Sequence, residues 1–249
     1  MTHYTDFIGN LGIENTPPAG IETVKWWIKN ANITHCDTIL DLACSTGFSS
    51  INISNLTSAK SIGIDISNTS ISAALEIAKK NKVEELVNYQ VGDACQLPFD
   101  NNSFSRIIVG SVFGFIENRD IALNECNRVL DVDGLLCVSS FYFLGNPPEQ
   151  LLKKVNKCIG YTPDANRDYS FWNSFFGKHF SFELEDKILL PVLNDQDLEN
   201  EVNLKLNTSL LATNSNDFDT LLNIRRTLNE LRNYQGVVRW ICKKKKANS

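Results

Sequence analysis

Three aspartates stand in or just beyond three successive strand-like segments of the sequence. Asp41 lies in the first, Asp65 ends the second, and Asp93 follows the third. In an open α/β sheet, ligands bind beyond the carboxyl ends of the strands. A carboxylate at the end of the second strand can accept two hydrogen bonds from the hydroxyls of a ribose. Asp65 therefore indicates a site for a nucleoside.

The first aspartate opens a turn of small residues, Asp41–Gly47, that leads into a helical segment, Phe48–Leu56. Small side chains let the backbone approach a ligand closely, and the N-terminus of a helix offers free N–H groups. A nicotinamide dinucleotide site would need G-x-G-x-x-G here. At most one glycine occupies the required positions in either register of this turn, so the pattern does not favour a dinucleotide.

The elements that must position these residues alternate along the first two thirds of the chain. Segments typical of strands buried on both faces are Thr38–Ala43, Ser61–Ile66, Val87–Val91, Arg106–Gly110 and Leu135–Phe143. Helical spacing separates them: in Ile21–Ala31, in a helix that Asn68 or Thr69 can cap, and in one that Asn118 can cap. Such alternation predicts a parallel sheet with helices on both faces.

Two further strands and three helices are expected in the last third. The strands are Phe182–Leu190 and Val237–Lys243, and the helices are Pro148–Ile159, Gln196–Leu206 and Phe218–Asn233. Because an insertion at about 193–236 separates the late strands, they suit an antiparallel pair at the sheet edge. We expect one α/β domain over residues 1–249. Its sheet is mostly parallel and seven-stranded, with helices on both faces and an antiparallel last strand.

A third segment completes a recognisable pattern, because Gly92-Asp93-Ala94 is followed by Leu97-Pro98-Phe99. The chain resembles the class I S-adenosylmethionine-dependent methyltransferases, which have a Rossmann-like fold. Their D-L-G-C-G-T-G turn matches Asp41–Gly47, their second-strand acid matches Asp65, and their G-D-A-x-x-L-P-F segment matches Gly92–Phe99. The resemblance covers residues 18–145, the cofactor-binding core, and leaves 146–249 as substrate-side elements. Pro18–Gly20 is similar to the P-G-G turn before the first helix of some members.

The resemblance implies S-adenosyl-L-methionine as cofactor and S-adenosyl-L-homocysteine as product. It implies that Asp65 holds the ribose and Asp93 the adenine edge, with Gly20 near the methionine carboxylate. The residues expected to complete the site are Asp41, Ala43, Cys44, Ser45, Gly47, Ile66, Ala94 and Ser111. Ala43 and Ser45 replace glycines of the family's turn. If the backbone there needs a positive φ, each side chain costs about 1–2 kcal/mol and weakens cofactor binding.

An aromatic cluster points to the acceptor. Residues 160–182 hold eight of the chain's 24 aromatic side chains. An aromatic-walled pocket excludes water and suits a small organic acceptor, while packing against the sheet accounts for part of the cluster. The expected substrate-binding residues are Phe113, Phe115, Tyr142 and Trp172. For catalysis we expect His179 as general base and Tyr142 as an orienting hydroxyl.

Charge and composition restrict the partners. Lys and Arg number 24 against 29 Asp and Glu, a formal net charge of −5, so no nucleic-acid partner is expected. The longest uncharged apolar stretches, Ile107–Ile116 and Gly134–Gly145, fall short of the roughly 20 residues that cross a bilayer. Seven cysteines without a C-x-x-C pair predict reduced thiols in a cytoplasm. With three histidines, we expect no metal site.

These observations predict transfer of a methyl group to an O, N or C atom of a small, partly apolar metabolite. We expect the insertion and the aromatic segment to form a lid over the acceptor. Two alternatives remain open. The altered glycines allow a non-catalytic S-adenosylmethionine-binding partner subunit, and nothing in the sequence excludes a protein as the methylated substrate.

Overall fold

A single mixed sheet organises the computed structural model, which describes residues 4–210 and 213–245. Its strands are β1 (Thr38–Leu42), β2 (Lys60–Asp65), β3 (Val87–Val91), β4 (Phe104–Gly110), β5 (Leu130–Phe143), β6 (Phe180–Ile188) and β7 (Gln235–Lys244). Their order is β3-β2-β1-β4-β5-β7-β6. Strands β1 to β5 pair in parallel, and β7 runs antiparallel to both β5 and β6. The expected fold class is confirmed.

Helices cover both faces of the sheet. In the described residues they are α1 (Tyr4–Leu11), α2 (Ile21–Asn30), α3 (Phe48–Thr57), α4 (Asn68–Lys80), α5 (Arg119–Val129), α6 (Glu149–Ile159), α7 (Tyr169–Phe176), α8 (Asp195–Asn207) and α9 (Ser215–Leu231). A short 3-10 turn, Arg232–Tyr234, joins α9 to β7. On one face, α2 and α3 pack on Ile39 and Ile108. On the other, α5 and α7 pack on Leu40 and Val109. Consecutive strand residues are therefore buried on opposite faces, as the apolar segments predict.

The structure changes several details of the expected elements. Asn118 precedes α5 but makes no side-chain cap hydrogen bond, and α7 is a fourth helix in the last third, where three were expected. Ser67, not Asn68 or Thr69, caps α4, because its hydroxyl accepts the Ser70 N–H. Strand β5 begins at Leu130, five residues earlier than expected, since that residue pairs with Phe104. Helix α1 was not expected at all, although its apolar residues are spaced as in an amphipathic helix.

Helix α1 joins two distant parts of the chain at the carboxyl edge of the sheet. It packs against α4 on one side. On the other, Ile8 and Leu11 form a cluster with Leu198 of α8 and Leu221 of α9. Helix α9 also packs on α6 and on the last residue of β5, Phe143. The insertion and α1 thus form one helical layer beside the ends of the strands.

Candidate cofactor and acceptor site

The turn after β1 has the backbone shape expected of a glycine-rich turn. Residues 43–47, hereafter the small-residue turn, contain three left-handed positions: Ala43 with φ 53°, Ser45 with φ 48° and Gly47 with φ 80°. The Cys44 N–H donates to the Ile64 carbonyl of β2 at 3.0 Å, which ties the turn to the neighbouring strand. Two positions that carry side chains therefore adopt the conformation that glycine adopts without strain.

Asp65 lies directly beside this turn. Its Oδ2 accepts the Ser45 N–H and its Oδ1 accepts the Ser67 N–H, both at 2.9 Å. The residue is 5% exposed, and burial raises the pKa of its carboxyl above the ordinary value. Ile66, the next residue, is 71% exposed. The backbone thus fixes the orientation of the Asp65 carboxylate next to an open apolar side chain.

Asp41 has a different environment. Its Oδ2 accepts both the N–H of Ser50, at 3.1 Å, and the Ser50 hydroxyl, at 2.7 Å. The Ser50 hydroxyl also lies 3.0 Å from the Tyr89 hydroxyl. Burial raises the pKa of Asp41 to about 7, against the two Ser50 hydrogen bonds. The two hydrogen bonds from Ser50 to Asp41 therefore link the first turn of α3 to β1.

Asp93 and Ala94 follow β3 at the same edge. Val91 pairs with Asp65, so Asp93 lies two residues beyond that level. Its side chain is exposed, and Oδ1 accepts the Cys95 N–H at 2.8 Å. Ala94 is buried in the core beneath it. Asp65 and Asp93 therefore lie at the same edge of the sheet.

Gly20 and Ser111 meet this edge from the other side. Leu42 pairs with Val109, so the small-residue turn begins level with Gly110. A methyl group on Gly110 would lie 3.2 Å from Pro17 Cβ, which shows how closely the turn before α2 approaches β4. Gly20 itself has φ 54° and ψ −130°. Ser111, with φ 66°, accepts the Phe141 N–H at 3.3 Å.

Contacts from the N-terminal segment, residues 4–20, also shape the site, and the sequence patterns do not reveal them. The Asn15 N–H donates to Thr46 Oγ1 at 3.0 Å, and Asn15 Nδ2 donates to Ser45 Oγ at 3.2 Å. Asp6 Oδ1 accepts the hydroxyls of Ser67, at 2.6 Å, and Thr69, at 3.2 Å. The N-terminal segment therefore covers the small-residue turn. The spacing of Tyr4, Phe7, Ile8 and Leu11 would have indicated its helix.

Comparison with known proteins agrees with this geometry. A family model described as a methyltransferase domain matches residues 40–138. The crystal structure of the MccD protein is 37% identical with a TM-score of 0.79, and the match covers 93% of this chain and 100% of that one. The demethylmenaquinone methyltransferase of Staphylococcus saprophyticus is 30% identical over 169 residues, which are 64% of this chain and 65% of that protein. This chain belongs to the class I S-adenosylmethionine-dependent methyltransferases.

A more distant member of the methyltransferase fold was solved with the cofactor. It is the Haemonchus contortus phosphoethanolamine N-methyltransferase 2 in complex with S-adenosyl-L-methionine, 16% identical with a TM-score of 0.72. The match covers 96% of this chain and 55% of that one, and at this identity it shows the fold alone. The matches span between 42% and 65% of the length of these curated relatives.

The residues at the carboxyl edge fit the methyltransferase cofactor. Asp65 uses one hydrogen bond on each carboxylate oxygen, and each oxygen can accept another. Gly47 is required, because a Cβ there would lie 2.4 Å from the Tyr89 hydroxyl oxygen. The small-residue turn keeps its left-handed positions without two of the family's glycines. The site therefore has a carboxylate held in a fixed orientation, and a backbone that a ligand can approach closely.

Two of the expected acceptor residues lie in the core instead of lining an open pocket. Phe113 and Trp172 are each 2% exposed. The Phe113 ring packs edge-on against Phe175 and Phe176, with centroids 5.2 and 5.4 Å away. Phe115 differs, since it is 55% exposed and lies 4.6 Å from the Tyr161 ring. Of these residues after β4 and in α7, Phe115 is the one that a ligand can reach.

The two expected catalytic residues are far apart. Tyr142 is buried near the end of β5, where its ring covers Gly236 of β7. Phe180, the first residue of β6, pairs with Lys244, and the His179 carbonyl accepts the Lys245 N–H at 2.9 Å. Because β7 runs antiparallel to β5, that end of β7 lies where β5 begins. The His179 backbone is therefore at the edge opposite the small-residue turn, and the structure does not bring it to the site.

No helix in the described ranges is long and apolar enough to cross a membrane. Within the same ranges, no three His, Cys, Asp or Glu side chains are grouped to hold a metal ion.

Proposed function

We propose that this chain binds S-adenosyl-L-methionine and transfers its methyl group to a small, partly apolar organic acceptor. The observation that carries the proposal is the Asp65 carboxylate. Two backbone N–H groups orient it beside the small-residue turn, at the carboxyl edge of a methyltransferase sheet. That position is where open α/β sheets bind nucleosides.

In this proposal each part of the edge holds one part of the cofactor. Asp65 binds the ribose hydroxyls, Ile66 packs on the adenine, and Asp93 accepts a hydrogen bond from its amino group. Gly20 and the small-residue turn, which includes Cys44, surround the methionine part of the cofactor. The cofactor supplies a methyl group on a sulfonium, ready for displacement. The protein supplies alignment and a site that excludes water.

No base is assigned to His179, because its backbone lies at the opposite edge of the sheet. An acceptor atom that is nucleophilic without a protein base, such as a neutral amine, fits this arrangement best. Tyr142 has a buried ring at the end of β5 and remains a candidate for orienting the acceptor through its hydroxyl. Phe115 supplies exposed apolar surface for the acceptor.

We also propose a cytoplasmic location and no nucleic-acid partner. All seven cysteines lie in the described residues as free thiols, and four of them are buried. Free thiols are typical of a reducing compartment. The net charge of −5 opposes binding to phosphate backbones.

Calorimetric titration with S-adenosyl-L-homocysteine tests the proposal. We expect Asp65→Ala to weaken binding by about 10- to 100-fold, because a charge-assisted hydrogen bond is worth about 1.5–3 kcal/mol. Asp65→Asn, which keeps the size of the side chain, separates lost binding from lost folding when its thermal unfolding is also measured. Glu84→Ala removes the same charge from an exposed site between α4 and β3 and serves as control.

Two outcomes would contradict the proposal: no heat with the wild type, or undiminished binding in folded Asp65 variants. Release of S-adenosyl-L-homocysteine on a panel of amines, phenols, carboxylates and thiols then tests turnover. Binding without turnover on any acceptor would favour the non-catalytic partner subunit instead. Turnover on a protein and on no small molecule would favour the protein methyltransferase.

A further inference from the structure

Two arginines flank the loop that follows β4. Arg119 is the first residue of α5, and Arg167 precedes the residue that caps α7. Arg167 Nη1 donates to the Gly114 carbonyl and to the Tyr161 hydroxyl, both at 2.6 Å. The Arg167 side chain is 13% exposed. The loop and Tyr161 therefore hold this guanidinium in a fixed position.

The positive charge of this pair is incompletely neutralised. Asp164 lies 3.5 Å from Arg167 Nε. In the described part of the chain, Arg119 forms no ion pair or side-chain hydrogen bond, and its neighbour Asp120 pairs with Lys178 instead. The Nε atoms of both arginines are buried without a hydrogen-bond partner in these residues. Burial lowers the pKa of Arg119, and the positive charge of Arg167 lowers it further.

Aromatic rings surround the pair. The Arg119 guanidinium lies 5.9 Å from the Phe171 centroid, and that of Arg167 lies 6.0 Å from the Tyr161 centroid. Exposed Phe115 packs against the same Tyr161 ring. A cavity of about 460 Å³ opens beside Arg119 and Phe171. The chain neighbours of Arg167, Asn166 and Asp168, line the same cavity, together with Asp120 and Lys178. A ligand held here would therefore meet the Arg119 guanidinium and the Phe171 ring, and it would lie next to the Arg167 segment.

The pair belongs to the same edge as the proposed cofactor site. The loop of residues 111–118 begins at the end of β4, next to β1 and level with the small-residue turn. Gly114 in this loop binds Arg167, and Arg119 follows the loop directly. The pair therefore lies at the end of β4, on the β4 side of the proposed cofactor site.

We propose that the acceptor carries one oxyanion, a carboxylate or a phosphoryl group, that binds between Arg119 and Arg167. The inference rests on the proposed function, since it concerns the acceptor of that site. Guanidinium groups match both anions through paired, charge-assisted hydrogen bonds. A single anionic group on an apolar body is compatible with the acidic surface, which opposes only extended polyanions.

Titration with benzoate, phenyl phosphate and phenol tests the inference, because the three share a ring and differ in the anion. We expect one or both anions to bind the wild type and phenol to bind at least ten-fold more weakly. The tighter anion identifies the group as carboxylate or phosphoryl. Arg119→Gln is expected to weaken that binding at least ten-fold. Arg226→Gln, on the α9 surface with Asp195 and Glu199, is the matched control and is expected to change nothing.

Arg167→Lys keeps a positive charge but loses the fork of donors, so it separates charge from geometry. We expect it to weaken anion binding, with a thermal unfolding measurement to check that the loop remains folded. Titration with S-adenosyl-L-homocysteine is expected to be the same in the wild type and Arg119→Gln. Equal anion binding in the wild type and folded Arg119→Gln, or equal binding of phenol and both anions, would overturn the inference. Loss of S-adenosyl-L-homocysteine binding with intact anion binding would overturn the proposed function alone.

Discussion

Ala43 and Ser45 hold left-handed backbone that costs an L-residue roughly 1–2 kcal/mol. The surroundings enforce it, because the Ser45 N–H is bound to Asp65 and the turn is tied to Ile64 by the Cys44 N–H. The turn therefore keeps its shape although Ala43 and Ser45 stand where the family has glycine. These two residues adopt the left-handed backbone under strain, whereas glycine would adopt it freely.

We expect Ala43→Gly and Ser45→Gly each to raise the free energy of unfolding by about 0.5–1 kcal/mol. This gain is the relief of left-handed strain less the entropy cost of glycine. Urea unfolding of each variant measures it. Ser72→Gly, at an exposed position inside α4, is expected to destabilise by about 0.5 kcal/mol. Equal effects at all three positions would contradict the strain argument.

Residue identity and spacing are enough to locate Asp65 and the small-residue turn, because strand ends carry both. They do not reveal Asn15, whose contacts with Ser45 and Thr46 span 30 and 31 residues. Arg119 and Arg167 are likewise brought together by tertiary structure. Local sequence patterns do not indicate contacts of this kind, because the residues are far apart in the chain and no periodicity relates their positions.

At the scale of elements, α7 shows why aromatic density does not identify a pocket. Its Trp172, Phe175 and Phe176 are all buried, and Phe176 packs on Trp240 of β7 with centroids 5.7 Å apart. A core and a ligand pocket both require apolar surface, so the sequence alone cannot distinguish them. The α7 aromatics pack on the sheet and so do not form the expected lid. The insertion and α1 lie beside the strand ends, and a lid built from the insertion stays a prediction.

We expect Trp172→Ala to lower the free energy of unfolding by about 3–5 kcal/mol, because it leaves a large cavity in the core. Trp172→Phe is expected to cost less, since the lost indole N–H has no partner in the described structure. Denaturant unfolding measures both. Phe171→Ala, which changes a half-buried ring of the same helix, is the control and is expected to cost less than Trp172→Ala. Full stability of Trp172→Ala would contradict the core assignment.

The strands were predictable because buried parallel strands are continuous apolar runs bounded by turn residues. Each was found within a few residues of its expected bounds, apart from the early start of β5. Helix boundaries depend on caps, and Ser67 outcompetes its neighbours because its side chain reaches the Ser70 N–H. Helix α1 is stabilised by α4, α8 and α9, and these partners are distant in sequence.

At the scale of the whole molecule, Asp41 makes stability depend on pH. Its pKa is about 7 in the folded protein and close to 4 in an unfolded chain. Between these values the folded state binds more protons, so stability is greatest near pH 4 and falls as the pH rises through about 7. The difference is on the order of 4 kcal/mol. Tyr89, Cys44 and Asp65 share this buried environment.

We expect Asp41→Asn to remove this loss. The amide oxygen can still accept from Ser50, and an amide does not ionise in this range. The variant should be more stable than the wild type at pH 8, and the advantage should shrink towards pH 4. Urea unfolding from pH 4 to 8 measures it, with the exposed Asp100→Asn as control. Parallel stability curves for Asp41→Asn and the wild type would contradict the pKa shift.

The position of β7 between β5 and β6 also determines the order in which the nascent chain can be completed. Strands β1 to β5 can pair as soon as Phe143 has been synthesised, because their partners all precede it. Strand β6 pairs with β7 alone in the described sheet, so it must wait until Gln235–Lys244 follows. Helix α1 precedes these strands in the chain, yet it needs α8 and α9 to bury Ile8 and Leu11. The covered carboxyl edge is therefore the last part of the molecule to be assembled, although the strands that end there are among the first to be made.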